Sequence, residues 1–143
     1  VKGLSGGGGE KMNENVPNLD SRCAQFSYDL VKAVASEGFL SKENKSKLEN
    51  LINKSLGVLQ ENGLYAFFLY LEYRLKDLGA KDIKSSSLNL LRHEDIGLLE
   101  QNNNHFTAVC KLTEKLDHLL LTHRLIEQML IYARYHAKAV RET

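Results

Sequence analysis

The sequence predicts an all-α protein, a compact bundle of about six helices with a long C-terminal helix. Leu, Lys and Glu recur at three- and four-residue spacing, and strand-like alternation of Val, Ile and Thr is absent. The single proline, Pro17, precedes the first periodic segment, so nothing after it interrupts a helix by removing a backbone donor. The stretch Leu119–Val140 is rich in good helix formers and has no Gly or Pro. On a helical wheel its apolar residues Leu121, Leu125, Ile126, Met129, Leu130, Tyr132, Ala133, Ala137 and Val140 cover a little more than half the circumference. That width implies neighbours on both sides.

Residues 1–18 carry five of the ten glycines and few apolar side chains, and read as a flexible Gly-rich tail. Residues 19–143 then form one helical domain. A first helix is expected over Asp20–Glu37, capped by Asp20 or Ser21 and ended by Gly38. Its inward positions are Cys23, Ala24, Phe26, Leu30, Val31, Val34 and Ala35, with Arg22, Asp29, Lys32 and Ser36 outward. Ser41 caps the next helix, whose stripe is Leu48, Leu51, Ile52, Leu56 and Leu59. Asn62-Gly63 stops it, because both residues tolerate a left-handed cap. The segment Leu64–Leu78 is the most apolar of the chain and is expected as a central helix buried on several sides. A short helix capped among Ser85–Ser87 ends near Arg92. Asn102–Asn104 form a polar loop, and a helix from His105 to about His118 presents Phe106, Val109, Cys110, Leu112 and Leu116 on one side.

At 143 residues, 43% hydrophobic and 26% charged, the chain has the make-up of one globular domain with a real core. The formal net charge of +1 excludes a polycation, so any attraction for nucleic acid must come from local asymmetry. Cys23 and Cys110 stand far apart with no motif around them and read as core residues. No apolar run reaches the length of about 18 residues that a membrane span requires, and no signal-peptide stretch opens the sequence. The expected location is cytoplasmic.

Signatures of catalysis are missing: the sequence has no P-loop, GxGxxG, HExxH, CxxC or GxSxG pattern. His93-Glu94-Asp95 reads as a polar patch, because adjacent residues on a helix diverge and would not meet on one cation. His123 and Glu127, four apart, suit a structural pair on a helix face. The expectation is a non-catalytic protein without metal or cofactor. Tyr65, Phe67, Phe68, Tyr70 and Tyr73 could stack bases, but their place in the most apolar segment favours the core. The polar arc of the last helix carries the best functional signal. Arg134, Lys138 and Arg141 follow i, i+4, i+7 spacing, with Arg124 and Tyr135 on the same side. Such a row can follow a phosphate backbone without reading bases; an ordinary solvated face is the competing reading.

Three segments carry a family resemblance: Arg22 to Val31, Leu59 to Leu71 with its Asn-Gly-Leu break, and Arg124 to Ala139, which ends Tyr-Ala-Arg-Tyr-His-Ala-Lys-Ala. In this order and spacing the chain resembles the small helical subunit of type III-B CRISPR RNA-guided effectors, the fifth subunit of the Cmr complex. The resemblance implies an all-α, non-enzymatic protein of antiviral defence. Copies would stack along the inner filament, beside other effector subunits, against the backbone of the guide RNA–target duplex. It carries over Arg22, Arg124 and Arg134 as nucleic-acid contacts, while Lys138 and Arg141 rest on the wheel. The isolated chain is expected to be a monomer. The alternatives are a helical adaptor whose basic face binds an acidic partner, and a small-molecule regulator with the aromatic helix as a pocket wall.

Overall fold

The structure, a computed structural model, describes residues 19–36, 41–93, 96–98 and 105–142. The expected Gly-rich tail, the stop at Gly38 and the Asn102–Asn104 loop lie outside the described residues. Within them the chain forms six helices and no strand: α1 (Leu19–Ser36), α2 (Lys42–Asn62), α3 (Leu64–Tyr73), α4 (Ala80–Arg92), α5 (His105–Leu112) and α6 (Leu116–Glu142).

The first joints follow the sequence. Ser41 caps α2, its hydroxyl accepting from the Asn44 N–H at 3.1 Å. Gly63, at φ +93°, ends α2 and starts α3 in one residue. Its N–H donates to Leu59 O at 3.1 Å, and its own carbonyl accepts from the Phe67 N–H at 3.0 Å. Carbonyls at the end of one helix and N–H groups at the start of the next are thus satisfied within a single corner.

Later boundaries depart from expectation. α3 ends at Tyr73 rather than Leu78. The Arg74 N–H turns back onto the carbonyls of Tyr70 and Leu71, and the Arg74 guanidinium meets the Asp77 carboxylate at 3.1 Å. The chain then turns through Gly79, whose φ is +89°. A Cβ built there would lie 2.8 Å from Leu48 Cδ1, so glycine alone lets this corner seat against α2. α4 begins at Ala80, ahead of the expected serine cap. Ala80 and Ile83 are buried, and Ser87 is an interior residue whose hydroxyl donates to Ile83 O at 2.7 Å. The fifth helix stops at Leu112, and turns over 113–115 precede α6. This leaves Leu116 exposed on α6 rather than inside beside Val109. Cys110 is likewise exposed, contrary to its reading as a core residue.

α6 is the centre of the bundle. Leu125, Ile126, Met129, Leu130, Ala133 and Ala137 are buried, as the wheel requires. Each large one removed from water contributes about 1.5–3 kcal/mol. α1 runs alongside in the same direction: the Cys23 thiol donates to Leu125 O, and Tyr28 packs edge-on against His136. α2 runs the opposite way, bringing Leu59 and Gln60 to His123 and Glu127. α3 closes over α2 with Phe67 and Phe68 fully buried, their ring centroids 5.1 Å apart. α4 lies against α1, where Phe26 meets His93 edge-on.

Candidate nucleic-acid interface

Because one side of α6 is locked into the core, its other side is displayed in a fixed orientation. Along that side run Leu116, Leu120, Arg124, Glu127, Ile131, Arg134, Tyr135 and Lys138. Arg124, Tyr135 and Lys138 are exposed, and Arg134 is half-buried. The Arg134 guanidinium lies over the Tyr135 ring, 5.4 Å from its centroid. A charge stacked on an aromatic face is held in place yet keeps its donors available. Arg141 belongs to α6, but its side chain lies outside the described residues.

The five candidate residues do not form one continuous row. Arg134 and Lys138 stand one turn apart. Arg124 is ten residues back, roughly 15 Å along the axis. Arg22, on α1, is half-buried, and Cys23 and Asp20 on either side of it meet Leu125 and Tyr132 of α6. The structure therefore leaves Arg22 on a different helix and sets Arg124 apart from a C-terminal cationic patch. Glu127 lies between them, its carboxylate accepting from Gln60 Nε2 at 3.0 Å.

Neighbouring polar groups are engaged in the fold. The expected His123–Glu127 pair is replaced by two contacts to α2, with His123 Nε2 3.1 Å from Leu59 O. The Tyr132 hydroxyl donates to the Asp20 carboxylate, tying α6 to the start of α1. That bond raises the phenol pKa above its ordinary value. Burial pushes the Cys23 thiol up to about 11, with Asp20 adding in the same direction.

The aromatic run divides. Phe67 and Phe68 are fully buried and Tyr70 is half-buried. Tyr65, Leu69 and Tyr73, each four apart, face solvent, and Tyr73 is 83% exposed. The segment is therefore not buried all round: a short apolar helix lying on α2 and α4 covers only part of its circumference.

Two features escaped the sequence reading. Leu116 and Leu120 are 69% and 60% exposed on the outward line of α6, a consequence of where that helix starts. The cations Lys47, Lys54, Arg74 and Lys76 line a surface cleft of about 430 Å³ between α2 and the turn after α3. Lys47 and Lys54 lie seven apart on α2, a spacing visible in the sequence, but only the fold brings Arg74 and Lys76 to them.

Among the described residues, no group of three or more His, Cys, Asp or Glu could hold a metal ion. Glu94 and Asp95 of the weighed His93-Glu94-Asp95 patch lie outside the described residues. No helix among them is long and apolar enough to cross a membrane. Compared with known proteins, the chain matches no family model, no curated protein and no solved structure.

Proposed function

We propose that this chain is a non-catalytic helical subunit of an RNA-guided effector, like the small subunit of type III-B CRISPR Cmr complexes. In this reading it packs beside other effector subunits and further copies of itself. The C-terminal half of α6 touches the sugar–phosphate backbone of the guide–target duplex. The observation that carries the proposal is the patch of Arg134, Tyr135 and Lys138 on a helix whose opposite side is immobilised in the core. Cations so displayed meet phosphates by charge and carry no base readout. The three segments behind the family resemblance also converge in the fold. Cys23 of the first bonds Leu125 of the third, and Leu59 and Gln60 of the second meet His123 and Glu127 beside it.

A second reading is favoured by Leu116 and Leu120. Two exposed leucines on the helix that bears the cations suit a protein partner, so a helical adaptor for an acidic protein is the alternative. Co-expression with the proteins encoded beside its gene and a guide RNA separates the two. The effector reading expects the chain to co-purify with guide RNA in several copies per complex. A chain recovered with a protein partner and no RNA would replace the effector reading with the adaptor.

A further inference from the structure

The turn that joins α3 to α4 stands at the middle of three adjoining surface concavities of about 430, 440 and 450 Å³. The first and second share Arg74, Lys76 and Asp77, and the second and third share Leu75. α2 brings Lys47 and Lys54 to this belt, the turn brings Arg74 and Lys76, and α4 brings Lys81, Lys84 and Arg92; Glu72 and Asp77 are the carboxylates in its lining, and Glu43 stands beside Lys47. The whole chain carries a net charge of only +1, so the belt is a strong local excess.

Both lining carboxylates are already committed: Glu72 holds Lys84 Nζ at 2.6 Å and Asp77 holds Arg74. Lys47 is met by Glu43. Lys54, Lys76 and Lys81 have no ion pair among the described residues. Unneutralised cations along a concave surface concentrate anions there. Arg74 is the fixed point of the belt. Its guanidinium lies 5.6 Å from the Tyr70 ring centroid and 5.9 Å from that of Tyr73, and its buried Nε has no partner within the protein. The Tyr73 ring, 83% exposed, borders the same concavity as Arg74 and Lys76.

We propose that this belt binds a single strand of nucleic acid, its phosphates along Lys54, Arg74, Lys76 and Lys81 and one base stacked on Tyr73. The cations extend over three elements, which suits a polymer backbone better than one compact anion. An exposed aromatic ring among them is the arrangement that holds strands without sequence preference. Only an unstacked base can lie on such a ring, so a single strand fits and a duplex does not. The site is separate from the α6 patch and does not rest on the function proposed for it.

Fluorescence anisotropy with a labelled oligouridylate of about 12 nucleotides and the full chain tests the proposal. Wild type should bind, and its affinity should fall with salt by a log–log slope of about −0.7 per phosphate contacted. Reversing Lys54 and Lys76 together (K54E/K76E) should weaken binding at least about tenfold and flatten that slope by about 1.4. Both side chains are exposed, so circular dichroism should be unchanged; K54Q/K76Q should give a smaller loss in the same direction. Tyr73→Ala should cost at least about fivefold for the strand while leaving inorganic polyphosphate binding as it was. K54E/K76E should lower affinity by the same factor in the R134E/K138E background, because the two surfaces are separate. No binding by wild type, an unaltered K54E/K76E, an unaltered Tyr73→Ala, or a duplex weakened by Tyr73→Ala as much as the strand would each overturn the proposal. Loss confined to R134E/K138E would overturn it while leaving the α6 patch as the contact.

Discussion

A methyl group added at Gly57 enters open space inside α2, whereas one added at Gly79 runs into Leu48. The two substitutions should therefore have opposite signs in urea unfolding. Gly57→Ala relieves a helix interior of glycine's backbone entropy and should stabilise by about 0.5–1 kcal/mol. Gly79→Ala must hold a left-handed φ and displace Leu48, and should destabilise by about 2 kcal/mol or more. Phe68, fully buried beside Phe67, should cost about 3–5 kcal/mol when changed to Ala. A loss below about 1 kcal/mol would contradict its place in the core. Cys23 sets a pH dependence. Its thiol ionises near 9 when unfolded but only at about 11 when folded. The folded state keeps a proton that the unfolded state gives up, so stability is full below pH 9 and falls by about 2–3 kcal/mol towards pH 11. Cys23→Ala should flatten that fall. Phe68 was legible because it sits in a long apolar run. Cys110 was not, since a lone cysteine's burial depends on which way a short helix turns.

At the scale of elements, the sequence is clearest where a chemical signal and a packing need coincide. Ser41 and Asn62-Gly63 mark α2 because a hydroxyl cap and a glycine corner satisfy backbone groups locally. The end of α3 was hidden. The run from Leu64 to Leu78 is helical by composition, yet the helix ends at Tyr73 and the chain turns so that Gly79 docks against Leu48, a contact between distant segments. The gap between α5 and α6 has no proline or glycine, so neither its position nor the exposure of Leu116 could be read in advance. α1 and α6 are joined at one end by the Tyr132–Asp20 hydrogen bond. Tyr132→Phe should speed amide hydrogen exchange in the first turns of α1 and leave the α2–α3 corner unchanged. Equal exchange at both places would show that this bond does not hold the start of α1 down.

For the whole molecule, the all-α class and the central last helix follow from hydrophobic period alone. The cationic row was only partly legible. A wheel reports angle but not what fills the distance along the axis. Glu127 and Ile131 therefore divide Arg124 from Arg134, and the belt around the α3–α4 turn depends on contacts between distant segments. An effector subunit held by many weak contacts should be a monomer alone. A stable closed dimer at micromolar concentration in analytical ultracentrifugation would instead favour a dimeric adaptor, with Leu116 and Leu120 as its natural seam. The claim that α6 meets nucleic acid by charge is tested most directly in the assembled complex, by the salt dependence of RNA binding for wild type and R134E/K138E. Both side chains lie outside the core, so fold and assembly should survive. Affinity for unrelated RNA sequences should fall about equally, and the log–log salt slope should flatten by about 1.4–1.8, as expected for two lost phosphate contacts. Unchanged affinity and slope, with both proteins folded and assembled, would contradict the account and leave the patch to an acidic protein partner.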